Sequence, residues 1–137
     1  MLSKTTLQAI RAVAILARLP ENQYAGAHAV ANEIDAAQNY LGKMMQTLAK
    51  EGILISQKGL NGGFRLARRP EVLTLYDIAE PFEHLSRWNG CFIGNSECTS
   101  EHACAVHHKW APIRDSFLRL LRDTTVADVA GLNLEGR

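Results

Sequence analysis

The chain has 137 residues, 47% of them hydrophobic, which is enough apolar material for one domain with a real core. Its formal net charge is +1, and no apolar run approaches the roughly 20 residues that cross a bilayer. The N-terminus is amphipathic, with Arg11 and Arg18 interrupting its apolar positions, unlike a signal peptide. We therefore expect a cytoplasmic protein that does not associate with membranes.

Three segments with helical periodicity come first. Ser3 can cap a helix that Pro20 ends, with apolar residues recurring at Leu7, Ile10, Val13, Ala14 and Ala17. Residues 27–36 predict a short second helix. Residues 38–52 predict a third, with Gly52 as its stop and an inward face of Leu41, Met44, Met45 and Leu48. Gly42 inside it costs a helix about 1 kcal/mol relative to alanine, so we expect packing there to offset this cost.

Two short strands follow, at 53–57 and 64–68, joined by the glycine-rich turn "KGLNGG". Thr74 with Asp77 predicts a capped helix that Pro81 ends, and Thr125 with Asp128 repeats this pattern on a short tail helix. The long helix between them carries an apolar stripe of Trp110, Ile113, Phe117, Leu120 and Leu121.

This mainly helical order with one small β-hairpin is typical of a winged helix-turn-helix. We predict a DNA-binding domain over residues 1–80, then a loop and a long C-terminal dimerisation helix over residues 81–137. In this fold the third helix enters the DNA major groove and the wing reaches the flanking backbone or minor groove. Two long helices paired across a two-fold axis would bury Trp110, Ile113, Phe117 and Leu121 and set the recognition helices about one DNA turn apart.

Charge is distributed unevenly along the chain. Residues 38–70 hold six cationic side chains against the single acid Glu51, which favours a nucleic-acid footprint over an ordinary solvated surface. Amide side chains can read base edges, lysines contact phosphates, and an arginine can enter a narrow minor groove. The predicted DNA-contacting residues are Gln38, Asn39, Tyr40 and Lys43 on the third helix, and Lys58, Asn61, Gly62, Gly63 and Arg65 in the wing.

All three cysteines of the chain, Cys91, Cys98 and Cys104, lie within residues 90–108. Three thiols cannot all pair within one chain, and in a reducing compartment clustered cysteines more often bind metal or sense redox state. Their spacing is Cys-x₆-Cys-x₅-Cys, wider than the tight pairs common in structural zinc sites. An iron–sulfur cluster fits this wide, polar loop, while zinc remains an alternative.

The segments "NYLGKMMQTLAKEGIL" and "KGLNGGFRLAR", the three-cysteine loop and the closing "TTVADVA" together resemble the Rrf2 family of bacterial repressors. Its members include iron–sulfur, nitric-oxide-responsive and iron-responsive regulators. The likeness runs almost from end to end. It implies a homodimeric regulator, not an enzyme, that binds a roughly palindromic DNA operator under the control of an iron–sulfur cluster.

The resemblance also bears on the fourth cluster ligand. Some members supply a carboxylate from the first helix, but Leu7 stands at that position here, next to Gln8. Another uses a histidine three residues after its last cysteine, and His107 stands there. A small molecule could complete the shell instead. The cluster is either 2Fe–2S or 4Fe–4S, the former being favoured if His107 ligates.

Two other functions stay open. A zinc- or thiol-based winged-helix transcription factor would share the DNA-binding half and differ only at the loop. An iron–sulfur carrier or electron-transfer protein would have no use for the basic wing. We do not expect an enzyme, since the sequence offers neither a phosphate-binding glycine loop nor a nucleophile motif.

Overall fold

The computed structural model describes residues 2–89, 92 and 106–131. Its helices and strands confirm a mainly helical winged helix-turn-helix with one hairpin. In chain order they are α1 (Lys4–Ala17), α2 (Ala27–Ile34), α3 (Gln38–Lys50), β1 (Leu54–Gln57), β2 (Gly63–Leu66), α4 (Leu75–Glu83), a 3₁₀ helix (Leu85–Asn89), α5 (His107–Asp123) and α6 (Val126–Val129). Within the described ranges, no helix is long and apolar enough to cross a membrane.

The main core forms where α1, α2 and α3 pack together with the base of the wing. The predicted inward face of α3 is confirmed, because Leu41, Met44, Met45 and Leu48 are all buried. On α1 the buried face is centred on Ala9 and Val13, whereas Leu7 is exposed. Thr6, although polar, is buried on this side of α1, and its hydroxyl donates a 2.6 Å hydrogen bond to Glu83 of α4.

The wing is an antiparallel pair with Leu54 opposite Leu66 and Gln57 opposite Gly63. Ala25 extends this pair: its N–H donates to the Phe64 carbonyl at 2.9 Å, and the Phe64 N–H donates to the Ala25 carbonyl at 2.8 Å. The Ala25 backbone therefore anchors the wing to the segment that leads into α2.

Two adjacent glycines make this close approach sterically feasible. Gly63 has φ +131°, and a Cβ there would lie 2.4 Å from the Ala25 carbonyl oxygen. A Cβ on Gly62 would lie 2.2 Å from the Gln57 carbonyl oxygen. Any side chain at either position would have to displace backbone atoms, so both glycines have a structural role in the wing.

Helix α4 opens with the predicted capping box of Thr74 and Asp77. It continues through Pro81 and ends at Glu83. His84, the C-cap residue, has a φ of +52°. The expectation that Pro81 ends the helix is therefore wrong, because proline removes one backbone donor without preventing two more helical residues. The proposed domain division at residues 80 and 81 falls inside this helix and stays a prediction.

Helices α5 and α6 pack against earlier elements of the chain, α5 against α4 and α6 against α1. Leu118 and Leu121 of α5 pack into a second cluster with Ala79 and Leu85, and Leu121 is only 1% exposed. This burial within one chain corrects the placement of Leu121 on the predicted dimer face. Helix α6 begins with the predicted Thr125–Asp128 capping box, and its Val126 lies in the main core beside α1.

Candidate nucleic-acid interface

The first turn of α3 presents an open polar surface. Gln38 and Asn39 are exposed there, and Lys43 and Gln46 continue the same side of the helix. Ala37, the N-cap residue, makes no side-chain hydrogen bond to the helix, and the first turn contains no acidic residue. The positive end of the α3 dipole is thus free of capping or acidic side chains, an arrangement that favours a phosphate.

This side of α3 forms one wall of a groove of about 710 Å³. Ala27 of α2 and Phe64 of β2 contribute to the other walls. Gly42 also lines the groove, and a Cβ at this position would meet the Ala27 Cβ at 3.7 Å, an ordinary van der Waals distance. A methyl group would therefore fit at this position, and the contact with Ala27 does not supply the packing that was expected to offset the helix cost of Gly42.

Tyr40 differs from its neighbours on the helix. Its ring is exposed, but its hydroxyl is hydrogen-bonded to the hydroxyl of Thr5 on α1. Tyr40 therefore ties α3 to α1, and its ring edge remains the part available to a ligand.

A chain of side-chain hydrogen bonds joins α2 to the start of α3. His28 Nδ1 lies 2.9 Å from Gln38 Oε1, and Asn32 Nδ2 lies 3.3 Å from His28 Nε2. Neither His28 nor Asn32 was predicted as a functional residue from the sequence. Nothing in the local pattern marked them, because their role depends on how two helices pack.

The wing projects its own polar and cationic groups. Lys58 and Asn61 are exposed in the turn, where Asn61 has φ +65° and Leu60 at the tip is 94% exposed. Arg65 lies further along, in the middle of β2, with its guanidinium 5.3 Å from the centre of the Tyr24 ring. Its Nε is buried without a hydrogen-bond partner, so stacking on Tyr24 holds this side chain close to the body of the wing.

Arg65 shares a second groove, of about 310 Å³, with Arg68 and Arg69. Arg68 is partly neutralised by Asp77, at 3.7 Å. The surplus of positive charge predicted for residues 38–70 is thus divided between α3, the wing turn and this groove.

The predicted metal centre lies mostly outside the described residues, since Cys91, Cys98 and Cys104 are not among them. His107 is described: it is the first residue of α5, is 8% exposed, and makes an edge contact with the His108 ring at 5.4 Å. Over 2–89, 92 and 106–131, no group of three or more histidine, cysteine, aspartate or glutamate side chains could hold a metal ion. Gln8 on α1 is buried with its Oε1 unpartnered.

The outer side of α5 carries a continuous apolar surface. Trp88 stacks on Phe117 with ring centres 5.1 Å apart and lies 6.1 Å from Trp110. Beside these rings, Ile113 and Leu120 are 57% and 56% exposed. We call Trp110, Ile113, Phe117 and Leu120 the outer seam of α5. Their spacing of three, four and three residues is that of a helix-pairing stripe.

Comparisons with known proteins agree with this architecture. A family model described as "Rrf2: Iron-dependent Transcriptional regulator" matches residues 2–131. A chain of Aquifex aeolicus described as an HTH-type transcriptional regulator is 31% identical over 135 residues, covering 97% of this chain and 92% of the relative. The relatives are transcriptional regulators, a class of proteins that are not enzymes.

Two solved structures share the fold. CymR, the global cysteine regulator of B. subtilis, superposes with a TM-score of 0.80 at 22% identity, over 96% of this chain and 97% of CymR. IscR of T. potens gives a TM-score of 0.75 at 21% identity, over 94% of this chain and 85% of IscR.

Proposed function

The chain belongs to the Rrf2 family of helix-turn-helix transcriptional regulators, and from this premise we propose that it is a cytoplasmic homodimeric repressor whose affinity for DNA is controlled by an iron–sulfur cluster. The DNA-binding part of this proposal rests on the exposed polar start of α3 beside a cationic wing. The cluster part rests on one observation: every cysteine of the chain lies in the stretch that leads into α5, with His107 at the start of that helix.

The donor set suits an iron–sulfur cluster. Three thiolates with one imidazole match the ligands such clusters take in proteins. We propose that Cys91, Cys98, Cys104 and His107 hold it. When bound, the cluster supplies a centre that reacts with oxidants or nitric oxide, or is lost when iron is scarce. His107 is nearly buried at the first turn of α5, so a ligand role for it would link the loop directly to that helix.

The path from the loop to DNA runs through α5 and α6. The end of α5 is tied to α4 where the Leu75 N–H donates to the Thr124 carbonyl at 3.0 Å. Beyond it, Nε of Arg18, the residue that follows α1, donates to the Ala130 carbonyl at 2.6 Å. A change at the start of α5 would thus reach the helix-turn-helix through packed elements. A coupling of about 1–3 kcal/mol changes DNA affinity 5- to 150-fold.

The deciding experiment is anaerobic purification with iron and acid-labile sulfide analysis and a visible absorption spectrum. We expect a coloured protein that contains both iron and sulfide. Single changes of Cys91, Cys98 or Cys104 to alanine should bleach it. Stoichiometric zinc without sulfide, in protein expressed with ample iron, would contradict the cluster and favour a zinc- or thiol-based regulator.

The fourth ligand is tested with a matched pair of histidine variants. His107→Ala should alter the cluster spectrum or shorten its lifetime, whereas His108→Ala, at the exposed neighbouring position, should leave both unchanged. Identical spectra and lifetimes in parent and His107→Ala would assign the fourth site to an exogenous ligand.

A further inference from the structure

We infer that His28, supported by Asn32, fixes the orientation of the Gln38 amide and so determines which bases Gln38 reads. This inference rests on the DNA-binding function proposed above and deepens it. It makes His28 a positioning residue on α2 that acts through a residue of the recognition helix.

The direction of each hydrogen bond follows from the donors available. Asn32 Nδ2 carries only hydrogens to donate, so at 3.3 Å the His28 Nε2 must accept. A neutral imidazole that accepts at Nε2 carries its proton on Nδ1. His28 Nδ1–H therefore donates to Gln38 Oε1 across 2.9 Å. The Gln38 carbonyl oxygen is engaged toward α2, and its NH₂ group is left as the donor that a ligand can use.

This orientation has a consequence for base recognition. Glutamine pairs with adenine by offering a donor to N7 and an acceptor to N6–H₂ at the same time. Because its oxygen is turned toward His28 on α2, Gln38 presents its NH₂ group to a ligand instead, and the two donors of this group suit the N7 and O6 acceptors of guanine. We therefore expect Gln38 to prefer guanine over adenine in the major groove, and this preference to depend on His28.

All three residues are exposed, so these hydrogen bonds stabilise the free protein little. They matter once DNA displaces water from the first turn of α3 and the amide can no longer exchange partners with solvent. Loss of one such constraint should reduce discrimination at one base pair about 3- to 10-fold, the equivalent of a single hydrogen bond.

The test uses selection of bound duplexes from a randomised pool by the full-length protein, followed by titration of guanine- and adenine-containing duplexes. Gln38→Ala identifies the base position that Gln38 reads, because only that position should lose its preference. His28→Ala removes the donor and should shift that position from guanine toward adenine. His28→Asn is the matched control, since the asparagine Nδ2 can occupy the place of the imidazole Nδ1 and should keep the guanine preference.

Gln38→Glu provides a second, independent arm. A glutamate keeps an oxygen for His28 but has no donor to offer, so the preference should move to cytosine, whose N4–H₂ donates. Circular dichroism confirms that each variant is folded.

The outcomes separate the two proposals. A parent protein that selects no sequence contradicts the proposed function. A parent that selects a site with adenine opposite Gln38, or a His28→Ala variant with the parent's preference, overturns the inference while leaving the proposed function intact.

Discussion

Glu83 is a buried carboxylate whose charge holds the start of α1 on the end of α4. Its Oε1 accepts hydrogen bonds from the Ser3 N–H at 2.7 Å and from the Thr6 hydroxyl at 2.6 Å. Burial alone would raise the pKa of Glu83, but these hydrogen bonds and the nearby charge of Arg87 outweigh it and lower the pKa below its ordinary value of 4.5. The ionised form is therefore the one that the folded state favours.

We predict that this carboxylate makes stability depend on pH in acid. Because the pKa is lowered in the folded state, its contribution is complete above the unfolded value near 4.5 and is lost as pH falls through the folded-state pKa. Glu83→Ala should lower the free energy of unfolding by about 2 kcal/mol at neutral pH. In urea titrations between neutral pH and pH 3, Glu83→Gln should lose less stability than the parent; parallel curves would contradict this assignment.

At Gly42 we predict a substitution that stabilises the fold, in contrast to the loss of stability expected for Glu83→Ala. A methyl group at this position meets only the Ala27 Cβ, at 3.7 Å, so the usual helix preference for alanine is not opposed by a clash. Gly42→Ala should raise the free energy of unfolding by about 0.5–1 kcal/mol. Thermal and urea unfolding measure this directly, and a destabilised variant would show that the two helices are closer in solution than this spacing indicates.

At the scale of elements, we predict a phosphate contact in the wing turn that can be measured separately from base recognition. Lys58 is exposed where the turn begins, and as a point charge it should contact the DNA backbone regardless of sequence. Lys58→Ala should weaken binding to all duplexes alike and reduce the slope of log affinity against log salt by about one.

The control for this charge is Lys109→Ala, which removes another exposed lysine from the first turn of α5. Titrations of selected and scrambled duplexes at several salt concentrations compare the two variants. If Lys58→Ala changes the ratio of the affinities for the selected and scrambled duplexes, instead of lowering both affinities alike, then the lysine reads sequence. Its assignment to a phosphate contact would then be wrong.

Elements were predictable from the sequence where their signal is local. The inward face of α3, the glycine-rich hairpin and the two capping boxes all follow from residue spacing, and the structure confirms them. Errors arose where tertiary contacts decide. The burial of Leu121 and the continuation of α4 past Pro81 depend on which elements pack together, which periodicity cannot specify.

Within the candidate site, some residues could be predicted from local sequence and others depend on tertiary contacts. Exposed polar residues on α3 and in the wing turn could be recognised from their pattern and charge. The coupling of His28 to Gln38 could not, because those residues belong to different helices and meet only in the packed fold. The cysteine prediction concerns residues outside the described ranges and stays a prediction.

At the scale of the whole molecule, α5 has two different apolar sides. Leu118 and Leu121 face the chain's own α4, while Ile113 and Leu120 of the outer seam remain more than half exposed. An exposed apolar stripe at helix-pairing spacing is costly in water, and a second copy of the same helix would bury it. This arrangement favours a two-fold dimer, in which we expect the two copies of α3 to lie roughly 34 Å apart, the spacing of successive major grooves.

We predict that the double variant Ile113→Glu, Leu120→Glu is monomeric. Four apolar side chains, two from each subunit, would be lost from the dimer interface. Each is only about half exposed in the single chain and so contributes about 1 kcal/mol on burial, which means that the dimer should weaken by about 1000-fold. Light scattering after size exclusion measures the mass, and Arg119→Glu, an exposed residue on another side of α5, serves as the control. The monomer should also bind a palindromic duplex no better than a single half-site. A double variant that remains dimeric would assign the subunit contact to another surface and remove the basis for the expected half-site spacing.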